Sequence, residues 1–395
     1  MPRRTKVAKG VIILRKLASV QVIKKIEPID GADRIEKATV LGWHVVVKKG
    51  LYKEGDRVVY LEIDSVLPNE LAQRAGFTDK YLKTRRFKGI YSQGMCIPLT
   101  ELYHTKFPYG NGSATDIVEK AKDGRWDDTN VTEYLGITKH EADQRNDDQW
   151  WKKHRAEVKP PKKWYTKFRI GRWLWKKFLY KPIAGPFPTD LVPKTDETRV
   201  QILGDVLEKY KGTRCQYTEK LDGSSITFWK DKKDKLHVCS RNRELFDKND
   251  FMYATIAEKY ADKFGHGFVY QGEILGPNIQ GNKYGVKDYE VYVYQAYCPE
   301  TKVYLAPEEL STHLQNAGLP QVPILGELDL TDDIDALVDL SVGMSVLASR
   351  SKETQREGIV IRPLENVNDL YDKRFVGGRL SFKAINPKFL VKYNL

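Results

Sequence analysis

The feature that most constrains this chain is a lysine set at a corner between two strands, in Tyr217-Thr218-Glu219-Lys220-Leu221-Asp222-Gly223-Ser224-Ser225. Cys215 and Tyr217 lie at the end of one strand. Ser225-Ile-Thr-Phe-Trp-Lys then alternates with period two, and Asp231-Lys-Lys-Asp turns the chain back into Leu236-His-Val-Cys-Ser. Strands on both sides of so short a loop hold Lys220 at a fixed exit point, as a nucleophilic amine requires. Such an amine must also lose a proton at neutral pH, although lysine ordinarily titrates near ~10.4. Asp222 opposes that, because a neighbouring anion favours the ammonium form. Chemistry at Lys220 therefore calls for a cation nearby, and a divalent metal such as Mg2+ or Mn2+ is the natural candidate.

Further residues follow in a set order. Arg241 stands in Ser-Arg-Asn-Arg-Glu-Leu on the returning strand, and Glu273 in Tyr-Gln-Gly-Glu-Ile-Leu-Gly-Pro. Tyr292 and Tyr294 share an alternating strand, Glu357 opens Glu-Gly-Ile-Val-Ile-Arg362, and Lys383 sits in Ser381-Phe-Lys-Ala-Ile. A single strand glutamate or lysine is ordinarily a surface residue, and a tyrosine-rich strand is ordinarily the edge of a core; the ordered set is what carries weight. With Lys220-Leu-Asp-Gly at its head, it resembles the nucleotide-pocket motifs of the covalent nucleotidyltransferases: ATP-dependent DNA and RNA ligases and GTP-dependent mRNA capping enzymes.

The resemblance implies catalytic roles for Lys220, Asp222, Arg241, Glu357 and Lys383, and a nucleotide site formed by Glu219, Lys220, Gly223, Arg241, Glu273, Tyr292, Tyr294, Glu357 and Lys383. Lys220 would attack the α-phosphate of ATP, releasing pyrophosphate. Lys383 would hold that phosphate, Glu357 a metal and its water, and Glu273 the ribose hydroxyls. Arg241 would meet the ribose-phosphate or the incoming end, and one of the two tyrosines would stack on adenine, since an alternating strand offers one face to the ring. Two departures bear on the branch. Ser381 replaces a lysine common in the last motif, so that one phosphate contact is either lost or supplied by Arg379 or Lys388. Ser225 stands where DNA ligases and capping enzymes usually carry arginine, which favours RNA ligases.

The remainder of the chain reads as accessories. Residues 11 to about 140 hold short strands, Val20-Gln-Val-Ile, Thr39-Val-Leu, Trp43-His-Val-Val-Val, Arg57-Val-Val-Tyr-Leu-Glu-Ile and Met95-Cys-Ile-Pro-Leu, joined by tight turns. That pattern fits a small closed barrel or a β-sandwich. Ile26-Glu-Pro-Ile-Asp-Gly-Ala-Asp-Arg-Ile, Tyr60-Leu-Glu-Ile-Asp-Ser-Val-Leu-Pro68 and Lys88-Gly-Ile-Tyr-Ser-Gln-Gly94 resemble the N-terminal OB module of one RNA ligase branch. Lys83, Arg85, Arg86 and Lys88 are candidates to follow a phosphate backbone, with a solvated basic loop as the plain alternative.

From Trp150 to Lys181 the chain carries twelve Lys/Arg against one acid, Glu157, and five of its eight tryptophans. Cations interleaved with aromatics suit unpaired nucleic acid. Trp164, Phe168, Trp175 and Phe178 share one helical face, so an anionic membrane or plain packing against the domains are alternatives, with the membrane last. Pro182, Pro186, Pro188 and Pro193 stiffen the exit. A helix is expected over Val200 to Tyr210, with Thr195, Asp196, Glu197 and Thr198 at its start.

Lys+Arg exceed Asp+Glu by 13 in the 395 residues, which points to a polyanionic partner. Cys96, Cys215, Cys239 and Cys298 show no C-x-x-C spacing, which fits an intracellular, reducing compartment. No apolar run approaches the ~20 residues that span a bilayer, and no Gly-x-x-x-x-Gly-Lys-Ser/Thr loop marks a P-loop ATPase.

The expected fold is α+β: an N-terminal OB-like barrel over 1–144, a basic aromatic insert over 145–187, and a nucleotidyltransferase domain of antiparallel sheets with flanking helices over 188–395. DNA ligases and capping enzymes place an OB domain after the last motif, yet only about a dozen residues follow Lys383 here. The layout resembles RNA ligases that seal 3′-OH and 5′-phosphate ends through lysyl-adenylate and RNA-adenylate intermediates, at nicks with an RNA 3′-OH strand. The alternatives are a DNA ligase or capping-type enzyme, and a non-catalytic nucleic-acid or membrane-binding protein with a degenerate site.

Overall fold

The computed structural model describes residues 16–104, 119, 122, 124–140, 167–174, 183–348, 353–369, 372–375 and 378–395. The chain divides into two compact units, residues 1–140 with 370–378 and 394–395, and residues 141–369 with 379–393.

The first unit is built on a five-stranded antiparallel sheet in the order Trp43–Lys48, Ile35–Val40, Ala18–Pro28, Arg57–Leu61, Met95–Pro98. Period-two patterning drives it, since alternate residues of Ile35–Val40 and Trp43–Lys48 are buried. Ala18–Pro28 is long enough to pair on both sides, and an irregularity between Ile23 and Lys25 bends it. The sheet curls until its first strand meets the segment before its last. Gln93 N donates to His44 O at 2.8 Å and Val46 N to Ser92 Oγ at 2.9 Å. Inside lie Trp43 and Tyr60, whose hydroxyl donates to Gln93 O at 2.9 Å, so the curl is locked by a satisfied buried polar group. This is the OB-type barrel that the resemblance of the N-terminal motifs implies, and not the β-sandwich that the strand pattern also allowed. The strands Arg85–Phe87 and Ile90–Ser92 form a separate two-stranded sheet.

The second unit packs two sheets. One has seven strands in the order Ala184–Pro186, Arg243–Leu245, Leu236–Ser240, Ser224–Lys230, Val269–Leu275, Glu290–Cys298, Val303–Tyr304. The other has five, Thr198–Arg199, Phe382–Ile385, Gly358–Pro363, Arg214–Lys220, Ile324–Asp329, antiparallel except for the first pair. Helices Phe251–Lys259 and Pro307–Ala317 flank them, burying Met252, Ile256, Leu310 and Leu314 in one core with Ile226, Phe228, Ile274 and Val293. Asp250 caps the first helix by accepting from Met252 N at 2.9 Å, and Gly318, at φ 66, ends the second.

The stretch after Arg199 differs from the expected helix. A 3-10 turn at Val200–Ile202 and a helix at Gly204–Lys209 are separated at Leu203, and Thr198 and Arg199 pair with Phe382 and Lys383 as a strand. Sheet pairing has taken the residues that resembled a helix start. The Trp150–Lys181 segment lies outside the described residues, apart from 167–174 with a short helix at Arg169–Leu174. Among the described residues no helix is long and apolar enough to cross a membrane.

Candidate active site

Lys220 ends a strand of the five-stranded sheet, and Ser224 begins a strand of the seven-stranded sheet, so Leu221-Asp222-Gly223 crosses from one sheet to the other. The register on each side then delivers the acids. Lys220 pairs with Gly358, next to Glu357, while Ser225 pairs with Glu273. On the first sheet's next strand, Lys383 lies opposite Val360. Gly223 is obligatory at the crossing, because a Cβ there would stand 2.5 Å from Ile274 O and 2.9 Å from Glu273 Cγ. Its amide donates to Glu273 Oε1 at 3.1 Å.

Lys220 Nζ lies 2.6 Å from Glu357 Oε2, with side-chain exposures of 26% and 17%. Burial pushes the Lys220 amine down, but Glu357, Glu273 and Asp222 outweigh it and hold the ammonium form above its ordinary value. Burial raises Glu273 to about 8, with Glu357 and Asp222 adding repulsion against the pull of Lys220. Lys383 goes the other way, to about 7, through burial and the like charges of Lys220 and Arg199. Burial also raises Glu219, whose Oε2 accepts from Val346 N at 3.0 Å.

These groups line a cavity of about 600 Å³. It includes Glu219, Lys220, Asp222, Gly223, Arg241, Glu273, Tyr294, Glu357 and Lys383, nine of the residues the motifs single out. Arg241 lies one residue past its strand, in the turn to Arg243–Leu245, and pairs with Asp196 at 2.7 Å. Of the two tyrosines Tyr294 lines the cavity, while Tyr292 gives its hydroxyl to Glu290 Oε2 at 2.7 Å. Ser381, which replaces the lysine of the last motif, has a partner of its own. Its Oγ accepts from Arg362 Nε at 2.9 Å, and the same guanidinium reaches Glu197 Oε1 at 2.9 Å and Tyr294 O at 3.0 Å. Asp196 and Glu197, expected to start a helix, instead answer arginines.

Lys283 and Tyr284 escape motif reading, and Arg362 ends a motif that does not show what it joins. Arg362 ties the Tyr294 strand to the five-stranded sheet. Lys283 forms an ion pair with Asp222 and sits 4.6 Å from the Tyr393 ring centroid, and Tyr284 accepts from Asp222 N at 2.7 Å. Burial and Glu357 push the Asp222 carboxyl up against the pull of Lys283. Only the short spacing of Lys283 from the Glu273 motif hinted at its place. Lys83, Arg85, Arg86 and Lys88 belong to the first unit, on and before the Arg85–Ser92 hairpin.

The donor set fits a hard divalent cation. Glu357, Asp222 and Glu273 turn carboxyls on one cavity, and burial, with Glu357 and Asp222 adding to it, raises Glu273, a cost that a cation would offset. Among the described residues no group of three His, Cys, Asp or Glu side chains forms a ready-made cage, so part of the coordination would come from phosphates and water.

A lysine at a crossing between two antiparallel sheets, ringed by carboxylates and a second lysine, defines a ligase-type nucleotidyltransferase site. The family model described as RNA ligase matches residues 213–385, and one described as an OB-fold domain matches residues 17–99. The chain is similar to structures of Naegleria gruberi RNA ligase. A mutant with AMP and Mn is 30% identical over 96% of this chain and 99% of that one, at a TM-score of 0.70. A mutant with ATP and Mn is 30% identical over 95% and 99%, at 0.69. The enzyme with PPi is 30% identical over 96% and 99%, also at 0.69. None of the curated proteins matches. This chain belongs to the RNA ligase family.

Proposed function

We propose that the chain joins 3′-OH and 5′-phosphate ends with ATP, acting at nicks whose 3′-OH strand is RNA. The observation that carries this reading is Lys220 Nζ in the cavity, 2.6 Å from Glu357 and in the same lining as Lys383. The Naegleria enzyme with ATP, AMP, PPi and Mn supports ATP and a divalent metal, Mg2+ or Mn2+, as cofactors.

In the first step Lys220 Nζ bonds to the α-phosphorus of ATP as the bond to pyrophosphate breaks, leaving a lysyl-adenylate. In the second, an oxygen of the RNA 5′-phosphate takes the AMP and the amine is released. In the third, the 3′-hydroxyl forms the phosphodiester and AMP departs. Glu357 would hold the metal, with Asp222 and Glu273 facing it; when bound, the metal supplies positive charge that offsets the carboxylates and favours the neutral amine.

Every other part falls to side chains. Lys383 meets the α-phosphate, Glu273 the ribose hydroxyls, and Arg241 the ribose-phosphate or incoming end. Tyr294 stacks on adenine. Lys83, Arg85, Arg86 and Lys88 follow the RNA backbone. The division into an OB module over 1–144, an insert over 145–187 and a catalytic domain over 188–395 belongs to the same reading, as does a reducing compartment for four free cysteines.

The test is radiolabelling. With ATP and Mg2+ or Mn2+ the protein takes an acid-labile AMP label, which Lys220→Ala abolishes; label from GTP instead means a capping-type enzyme. Matched nicks differing in one 3′ ribose or deoxyribose are then offered, and the ribose nick seals much faster. Equal rates remove the RNA-end selectivity.

A further inference from the structure

The cavity does not account for one surface of the first unit. Arg85–Phe87 and Ile90–Ser92 pair as Arg85 with Ser92, Arg86 with Tyr91 and Phe87 with Ile90. Lys88 and Gly89 close the hairpin with φ of 46° and 90°, the two left-handed residues of a tight two-residue turn. Residues 85–89 are all exposed, and Phe87 keeps 44% of its surface in water. A single exposed phenyl ring is ordinary on a protein surface; what sets Phe87 apart is the charge that surrounds it in sequence.

That charge points to a partner. Residues 80–91 hold five cations, Lys80, Lys83, Arg85, Arg86 and Lys88, and no acid. Arg85 is matched with Asp79, an exposed pair that exchanges readily for another anion. Among the described residues Lys83, Arg86 and Lys88 have no carboxylate partner; Arg86 lies 5.4 Å from the Tyr91 ring centroid and Lys83 4.6 Å from that of Tyr81. A lipid surface takes a broader apolar face than one ring offers. An exposed ring with cations at the positions before and after it, Arg86 on the other face of its strand and Lys88 in the turn, is complementary to an unpaired base with phosphates nearby.

We propose that this hairpin is a contact for single-stranded RNA, in which Phe87 stacks on an unpaired base while Arg86 and Lys88 hold neighbouring phosphates. It rests on the reading of the chain as an RNA ligase and deepens the placement of these cations on the RNA backbone by adding Phe87 as a stacking residue. Stacking and phosphate binding respond differently to salt, which makes the two halves separable. Removing one cation from a phosphate lowers the salt slope of log affinity by about 0.7 on a single strand, whereas removing the stack leaves the slope alone.

The test uses the full chain and a short fluorescein-labelled single-stranded RNA, with polarisation read across a salt series and the Tm of each variant as the check on folding. Phe87→Ala weakens binding about 5- to 150-fold with an unchanged slope, the span of one base–aromatic stack. Phe87→Tyr keeps the affinity. The double variant Arg86→Ala/Lys88→Ala lowers the slope by about 1.4. The proposal is overturned if Phe87→Ala stays within about twofold of the wild type, or if Phe87→Leu binds as well as phenylalanine, since leucine has bulk without a π-face. It is equally overturned if Phe87→Ala loses affinity for phosphatidylserine vesicles while RNA binding holds, which would assign the ring to a membrane. Wild-type protein that takes no label from ATP sinks the ligase reading instead, so the two failures are distinguishable.

Discussion

Two basic regions of this molecule use the same residue types in opposite ways. In the cavity of the second unit cations are matched: Lys220 with Glu357, Lys283 with Asp222, Arg362 with Glu197 and Arg241 with Asp196. On the hairpin of the first unit Lys83, Arg86 and Lys88 face solvent or tyrosine rings. Inside the cavity burial, with neighbouring charges second to it, moves proton affinities, lowering Lys383 and raising Glu273. Exposed cations keep their charge and act by number, at a strength that salt controls. The cavity gathers charges that act on one another, and the hairpin offers positive charge to solvent.

Substitutions break this contrast to different degrees. The largest effect is expected from Lys220→Ala, which removes the nucleophile and lowers AMP labelling by at least ~1000-fold in a filter or gel assay. Lys383→Ala follows, slowing label formation by about 100- to 1000-fold, the usual cost of one electrostatic contact to the reacting phosphate. Lys283→Met tests the ion pair behind Asp222. Both side chains are largely shielded, at 13% and 15% exposure, so an orphaned carboxylate costs about 3 kcal/mol in denaturant unfolding. Labelling that falls while stability holds would instead assign Lys283 to the reaction.

A pH series sharpens the electrostatics of the cavity. Glu273 is raised in the folded chain to about 8 from an ordinary value of 4.5, so between those values the folded state keeps a proton that the unfolded state has lost. Its contribution to stability is present below about 4.5 and is lost as pH rises through about 8. Ligand-free protein should therefore lose Tm across that window, and Glu273→Gln should flatten the decline by up to about one proton's worth of slope. The smallest effect is expected from Arg85→Ala on the hairpin, where removing the exposed pair with Asp79 changes stability by less than ~1 kcal/mol.

Lys220, Glu273, Glu357 and Lys383 were legible because each sits in a short motif whose order along the chain survives any folding. The barrel strands were legible for a similar reason, alternation being a local property of sequence. Other features depended on partners distant in sequence. Thr198 and Arg199 resemble a helix start, but pairing with Phe382 and Lys383 makes them a strand. Tyr292 and Tyr294 look equivalent, and the neighbouring Glu290 takes the first while the cavity takes the second. Arg362 could be read as the end of a motif, but not as the link joining Ser381, Glu197 and Tyr294.

The amino-acid order alone singled out Lys220, Glu273, Glu357 and Lys383 as the candidate site, because their chemical types and succession are covalent facts. The folded chain decided how those groups are charged. Proton affinities at Lys220, Glu273 and Lys383 arise from distances across two sheets and from the exclusion of water, and neither quantity exists until strands far apart in sequence have paired.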